Sequence, residues 1–217
     1  MLIIFDCDGV LVDSESLGAQ VFSEHLAGFD ISLSAQECER KFCGQTMDYC
    51  LNLLQQEYPG VLPDDFLHSL ALATTEAFGR DLRPVAGIEP VLQWLVARGT
   101  PFCVASNGAM SKIRHSLEVT GLYSYFGDRR FSVEQVKRGK PAPDLFLMAA
   151  EHMDFAPGET LVVEDSIAGV TAAIRAGMHV VRYGEPLVME GREIDAFSDM
   201  SALPEIILRF ELNLRDG

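Results

Sequence analysis

The chain has 217 residues, 48% of them apolar and 23% charged, and a formal net charge of -15. That length supports one sizeable core, or a core with a smaller companion. The acidity argues against nucleic acid or an anionic membrane as partner, since a phosphate backbone needs a basic face, and no apolar run approaches the ~20 residues of a spanning helix.

A small phosphorylated ligand stays open, because a metal ion and one or two lysines offset its charge locally. The N-terminus lacks the basic start and long apolar run of a signal peptide. Five cysteines with no C-x-x-C pair give no zinc or disulfide framework. The expectation is a reduced, cytoplasmic protein.

The first element is "LIIF", Leu2 to Phe5, a buried strand that runs straight into Asp6, Cys7, Asp8 and Gly9. Two carboxylates one residue apart repel each other, and packing offers no reason to keep them; a metal ion or chemistry on a third group does. From about Ser14 to Arg83 the periodicity is helical throughout, in "LGAQVFSEHLAG", "SAQECERKFCG", "TMDYCLNLLQQEYPG" and "DDFLHSLALATTEAFGR". Beyond it, β-rich runs alternate with helical ones: Ile88 to Arg98, "PFCVAS", Ser111 to Thr120, "RRFSV", Pro143 to His152, "TLVVED", Ile167 to Ala176 and "MHVVRY". Glycines fall where the helices stop.

Strand-helix alternation predicts a parallel sheet covered on both faces. The expected fold is therefore α/β: a Rossmann-like parallel sheet core with helices on both faces, formed by residues 1-13 and 84-217. A small all-helical cap, residues 14-83, is inserted after the first strand.

Four sites lie at the C-terminal end of a predicted strand or in the loop after it: Asp6 with Asp8, Ser106 with Asn107 and Gly108, Lys140 in "KRGKPAPD", and Glu164 with Asp165. In an open parallel sheet that edge binds ligands. Several carboxylates suit Mg²⁺, which binds through one or two of them plus phosphate oxygens. Asp6 then reads as a carboxylate nucleophile, Ser106 as a donor to a phosphoryl oxygen, and Lys140 as a point charge between two anions. Taken singly, each has a plainer reading: a turn aspartate, turn chemistry at Ser106–Gly108, a solvated lysine, an N-cap at Glu164–Asp165. Cys7 reads as a small buried residue, with nothing beside it to lower its pKa. The combination, in this order at these strand ends, is what argues for chemistry.

"DCDGVLVDSE", "SNG", "KPAPD" and "VVEDSIAG" resemble the four motifs of the haloacid dehalogenase-like hydrolase superfamily, in its β-phosphoglucomutase-like branch of phosphatases. The resemblance covers essentially the whole chain. It implies that Asp6 attacks phosphorus to form an aspartyl-phosphate and that Asp8 serves first as general acid and then as general base. It implies Mg²⁺ held by the Asp6 side chain, the Asp8 backbone carbonyl and Asp165, with Glu164 direct or one shell out. It also implies a phosphoryl cradle of backbone amides around Cys7 to Gly9 and the Ser106 hydroxyl. The loop around Arg40, Lys41, Gly44, Gln45 and Thr46 is expected to face the leaving group, and its basic-polar character suits a hydroxylated, anionic metabolite. "SNG" together with Lys112 and Ser116 resembles bacterial sugar-phosphate phosphatases, including those acting on 6-phosphogluconate.

Three rival readings share parts of this set. A phospho-receiver domain is shorter, lacks a helical insert and takes its aspartate from a later strand. A carbon-halogen hydrolase needs neither Asp8 nor the Glu164–Asp165 pair. A sugar phosphomutase shares all four motifs, but mutases of this branch carry histidine where Gly18 stands and arginine where Met47 stands. The expected activity is a Mg²⁺-dependent phosphatase of a small phosphorylated metabolite, with the mutase as the alternative.

Overall fold

A computed structural model describes residues 1–42, 47–189 and 191–216. The chain divides into two compact units, residues 1–12 with 84–217 and residues 13–83.

The larger unit is an α/β fold on a six-stranded parallel sheet. Strand β1 (Leu2–Phe5) leads into the smaller unit, whose helices are α1 (Ser14–Ala27), α2 (Ala35–Phe42), α3 (Met47–Glu57) and α4 (Phe66–Asp81). The chain then continues through α5 (Ile88–Arg98), β2 (Phe102–Ser106), α6 (Met110–Val119), the short α7 (Tyr123–Phe126) and β3 (Arg130–Ser132). Next come α8 (Asp144–His152), β4 (Thr160–Glu164), α9 (Ile167–Arg175) and β5 (His179–Tyr183). A two-stranded hairpin of β6 (Leu187–Met189) and β7 (Arg192–Ile194), then β8 (Ala196–Phe197) and α10 (Leu203–Asp216), complete it.

The strand order is β3-β2-β1-β4-β5-β8, every neighbour parallel. All four residues of β1 are buried, as a central strand covered on both faces requires. Successive side chains alternate across a strand. Leu2 and Ile4 accordingly join one core cluster with Leu145, Phe146 and Ala149 of α8 and Ala172 and Ala173 of α9. Phe5 points to the other face, edge-on to Phe102 at 6.2 Å, and Phe102 in turn meets Phe126 at 5.4 Å. Burying one such side chain contributes roughly 1.5–3 kcal/mol. The order of strands reverses between β1 and β4, which makes the edge between them the switch point where open α/β sheets bind ligands.

In the smaller unit, four helices close over their own core. Phe22 of α1 packs 5.0 Å from Phe42 of α2 and 6.2 Å from Phe66 of α4. Helix α2 begins at a capping box: Ser34 Oγ and its backbone N–H both donate to Glu37 Oε2, at 2.6 and 2.8 Å, while Glu37 N–H donates back to Ser34 Oγ. Among the described residues no helix is long and apolar enough to cross a membrane.

Candidate active site

Asp6 follows the last residue of β1, and its N–H extends the ladder to Val163 O at 3.0 Å. The chain then turns back on itself. Leu11 and Val12 donate to Cys7 O at 3.0 and 3.1 Å, and Gly9 donates to Val12 O at 2.9 Å. Gly9 takes φ +78°, in the left-handed region, and a Cβ there would collide with the Asp165 carboxylate. Glycine is thus required twice, by the turn and by the approach of β4's end. The Cys7 thiol is fully buried, and burial pushes its pKa well up, with Asp8 and Asp6 adding to the effect. It is a packing residue.

Lys140 arrives from the loop between β3 and α8. Its ammonium is almost wholly buried, donates to Asp6 Oδ1 at 2.5 Å and to Glu164 Oε1 at 2.7 Å, and lies 4.6 Å from the Phe146 ring centroid. Burial pulls the lysine pKa down, but the two carboxylates outweigh it and hold the charge. Burial pushes Asp6 up from 3.8 to about 7; Lys140 opposes that rise and Glu164 adds to it.

Asn107 holds Lys140 in place: its side chain donates to Lys140 O at 3.0 Å and accepts from Lys140 N–H at 2.9 Å. Both ends of the amide are committed to backbone. In this way Asn107 fixes the lysine loop. Ser106 ends β2, 2% exposed, and its Oγ accepts from Gly108 N–H at 3.1 Å.

Glu164 ends β4 and is completely buried. Oε1 takes Lys140, and Oε2 takes the backbone N–H and hydroxyl of Ser166 at 2.8 and 2.9 Å. A Cβ on Gly169 would overlap this carboxylate. Both oxygens are thus engaged, and Glu164 stands as the partner of Lys140. Asp165, the next residue, is partly exposed at the same edge. Ser166 also caps α9, accepting from Gly169 N–H at 3.0 Å.

The structure therefore brings Asp6, Cys7, Asp8, Gly9, Ser106, Asn107, Gly108, Lys140, Glu164 and Asp165 to one edge of the larger unit. Gly44, Gln45 and Thr46 lie outside the described residues. One group that the strand-end pattern did not place is Lys112, in the first turn of α6: its ammonium donates to Asp8 Oδ2 at 2.8 Å. Asp8 Oδ1 is buried with no hydrogen-bond partner among the described residues. Asp6, Asp8, Glu164 and Asp165 share this edge with the ammonium groups of Lys140 and Lys112, a carboxylate-rich donor set that suits a divalent cation. No cluster of three or more histidine, cysteine or acidic side chains stands ready for a metal among the described residues.

In the smaller unit, Gly18 and Met47 line a single cavity of about 440 Å³ with Phe22, Phe42 and Leu70. The charged residues lining it, among those described, are Glu15 and Glu39, with no cation; Lys41 is paired with Glu57.

Residues 1–177 match the model of the haloacid dehalogenase-like hydrolases. The 6-phosphogluconate phosphatase of Escherichia coli (strain K12) is 30% identical over 220 residues, which cover 94% of this chain and 93% of that protein. A HAD family hydrolase from Deinococcus radiodurans R1, solved with bound phosphate and sodium, superposes with a TM-score of 0.85 at 30% identity, covering 97% of this chain and 96% of that one. A putative beta-phosphoglucomutase from Thermotoga maritima has the same fold, with a TM-score of 0.78 at 22% identity over 96% of this chain and 98% of that one.

Proposed function

The chain belongs to the haloacid dehalogenase-like hydrolase family and is a phosphoric monoester hydrolase; from that premise we propose that it is a Mg²⁺-dependent sugar-phosphate phosphatase working through a phosphorylated Asp6. The observation that carries the reading is the Lys140–Asp6 bond, which pins Oδ1 and leaves Oδ2 outside it, at the switch point of the sheet.

The residues present fit a magnesium ion. Mg²⁺ takes one or two carboxylates and keeps its remaining positions for water and phosphate oxygens, so the absence of a three-carboxylate cluster does not oppose it. Asp6 and Asp165, with the Asp8 backbone carbonyl, would hold it. When bound it neutralises phosphoryl charge and draws the Asp6 carboxylate into its ionised form.

Asp6 Oδ2 attacks phosphorus in line with the leaving oxygen. As the P–O bond to the sugar breaks, Asp8 gives its proton to the departing alkoxide, so the products of this half are the free alcohol and aspartyl-phosphate. Asp8 then takes a proton from water, whose oxygen attacks phosphorus; the P–O bond to Asp6 breaks, releasing inorganic phosphate and the original carboxylate. Lys140 stays charged throughout and offsets the anion at Oδ1. Ser106 and the backbone amides of Cys7 and Asp8 hold the equatorial oxygens, the Gly9 N–H being committed to Val12 O, and residues 13–83 act as the cap.

The phosphatase reading is favoured over the mutase by Gly18 and Met47, which give their cavity neither imidazole nor guanidinium. 6-Phosphogluconate, the substrate in the name of the Escherichia coli relative, is the first compound to try in a panel of phosphorylated metabolites. The deciding experiment is acid quenching during turnover followed by peptide mass spectrometry. A phosphoryl adduct on the Asp6 peptide is expected, and its absence alongside rapid phosphate release overturns the mechanism.

A further inference from the structure

We propose that Lys112 is a positioning residue for Asp8: it grips the carboxylate by Oδ2 and thereby reserves Oδ1 as the oxygen that exchanges the proton. The inference rests on the general acid/base reading of Asp8 given above.

Three observations carry it. First, the two oxygens of Asp8 are unlike. Oδ2 accepts from Lys112 at 2.8 Å, while Oδ1 is buried and has no hydrogen-bond partner among the described residues. A buried carboxylate oxygen normally finds a donor; one left open beside a nucleophile is placed to meet something that arrives with substrate.

Second, the backbone of Asp8 is already fixed, so the side-chain torsions are the remaining freedom. Asp8 is bridged to Val12, and Gly9 is held in its left-handed turn. The lysine removes the residual freedom, and a general acid contributes only when its oxygen lies within hydrogen-bond reach of the leaving group.

Third, Lys112 is itself supported. It projects from α6 past Gly108, where an added Cβ would sit 3.5 Å from the lysine Cδ. That peptide is pinned at both ends: its N–H donates to Ser106 Oγ at 3.1 Å and its carbonyl accepts from Ser132 Oγ at 2.7 Å. An ordinary surface ion pair contributes little. This one differs because one end is anchored over a rigid turn and the other is the acid of the site. The two lysines thus divide the work, Lys140 holding the nucleophile and Lys112 the acid.

The test is single-turnover and steady-state kinetics of Lys112→Met and Lys112→Arg, in the wild-type and Asp8→Asn backgrounds, on a sugar phosphate and on an aryl phosphate. A sugar alkoxide needs a proton to depart, whereas a phenolate with a low pKa does not. Lys112→Met should lower kcat on the sugar phosphate by about ten- to a hundredfold with little change in KM, a part of the full acid–base effect. The phosphorylation step on the aryl ester should change by less than about threefold, and Lys112→Arg should recover most of the loss. In the Asp8→Asn background Lys112→Met should add nothing, because both substitutions remove one effect. Equal losses on both esters, or losses that simply multiply with Asp8→Asn, overturn the proposal while Asp8 keeps its role. If Asp8→Asn itself slows both esters alike in that first step, the acid reading of Asp8 falls and the proposal falls with it.

Discussion

Lys140 Nζ lies 2.7 Å from Glu164 Oε1 and also binds Asp6 Oδ1, so one buried ammonium ties together two carboxylates that leave adjacent strands. Among the described residues, neither acid has so close a counter-charge from another basic side chain. The lysine is therefore a structural keystone as well as a participant in the chemistry.

Lys140→Met should destabilise the protein by about 3–5 kcal/mol, the usual cost of stripping one partner from buried ions. The loss should grow with pH. Without the ammonium, nothing opposes the rise that burial imposes on Asp6, which keeps its proton to higher pH in the folded than in the unfolded chain. The variant's stability is then fullest below the unfolded carboxylate range and falls as pH rises through the folded value. Urea unfolding at about pH 5 and about pH 8 checks this; equal losses at both would contradict it.

Asp6→Asn keeps the shape of the nucleophile and removes its negative oxygen. Turnover should fall by several orders of magnitude, since the group acts as a unit with the rest of the site. Residual activity within about tenfold of wild type, measured on enzyme free of wild-type contamination, would sink the assignment.

The pKa of Asp6 in the metal-free protein, raised from 3.8 to about 7 by burial, gives the metal a competitor. A cation that binds Asp6 must displace a proton there at and below neutrality. The Mg²⁺ concentration for half-maximal rate should therefore climb as pH falls from about 8 to about 6. Chelation should abolish activity, Asp165→Ala should raise the Mg²⁺ requirement, and Ca²⁺, with its larger coordination shell, should inhibit. Full activity in Ca²⁺ alone would contradict the arrangement.

Gly169→Ala reverses a familiar sign. In a helix the exchange usually stabilises by roughly 0.5–1 kcal/mol. Here the methyl would overlap a Glu164 carboxylate that Lys140 and Ser166 already pin. A net loss of about 1–3 kcal/mol is expected, with lowered kcat because Lys140 loses its anchor. Thermal unfolding and steady-state kinetics on the one variant test both.

On β-glucose 1-phosphate with a bisphosphate primer, a phosphorus NMR time course should show inorganic phosphate, with little 6-phosphate isomer. A mutase must keep water from its phosphorylated aspartate until a sugar hydroxyl arrives, and Gly18 and Met47 supply neither ring nor guanidinium to organise that closure. Glucose 6-phosphate accumulating faster than phosphate would reverse the choice while leaving Asp6, Asp8 and Lys140 in their places.

The sheet is legible because its central strands are buried on both faces and so appear as uninterrupted apolar runs; "LIIF" matches β1 residue for residue, and "TLVVED" overruns β4 by Asp165 alone. The hairpin β6–β7 and strand β8 are only two or three residues long, too short to carry a period that a sequence can show. At the site, strand ends and motif order brought the acidic residues and Lys140 together on paper. The task of Asn107 could not be read that way, because it depends on a backbone 33 positions along the chain. Lys112 and Asp8 are 104 apart, and a lone lysine in a helix carries no local mark of its partner.

The inserted segment leaves and returns at one point. Val12 bridges Pro84 antiparallel, and Asp13 N–H donates to Arg83 O at 2.9 Å. A chain stretch closed at its own base can be lengthened, trimmed or exchanged with no shift in strand register, because the sheet senses only the stem. Heritable variation can then accumulate in residues 13–83 while the edge bearing Asp6, Lys140 and Asp165 is passed on intact. One reaction can in this way be re-addressed to new compounds by swapping a module.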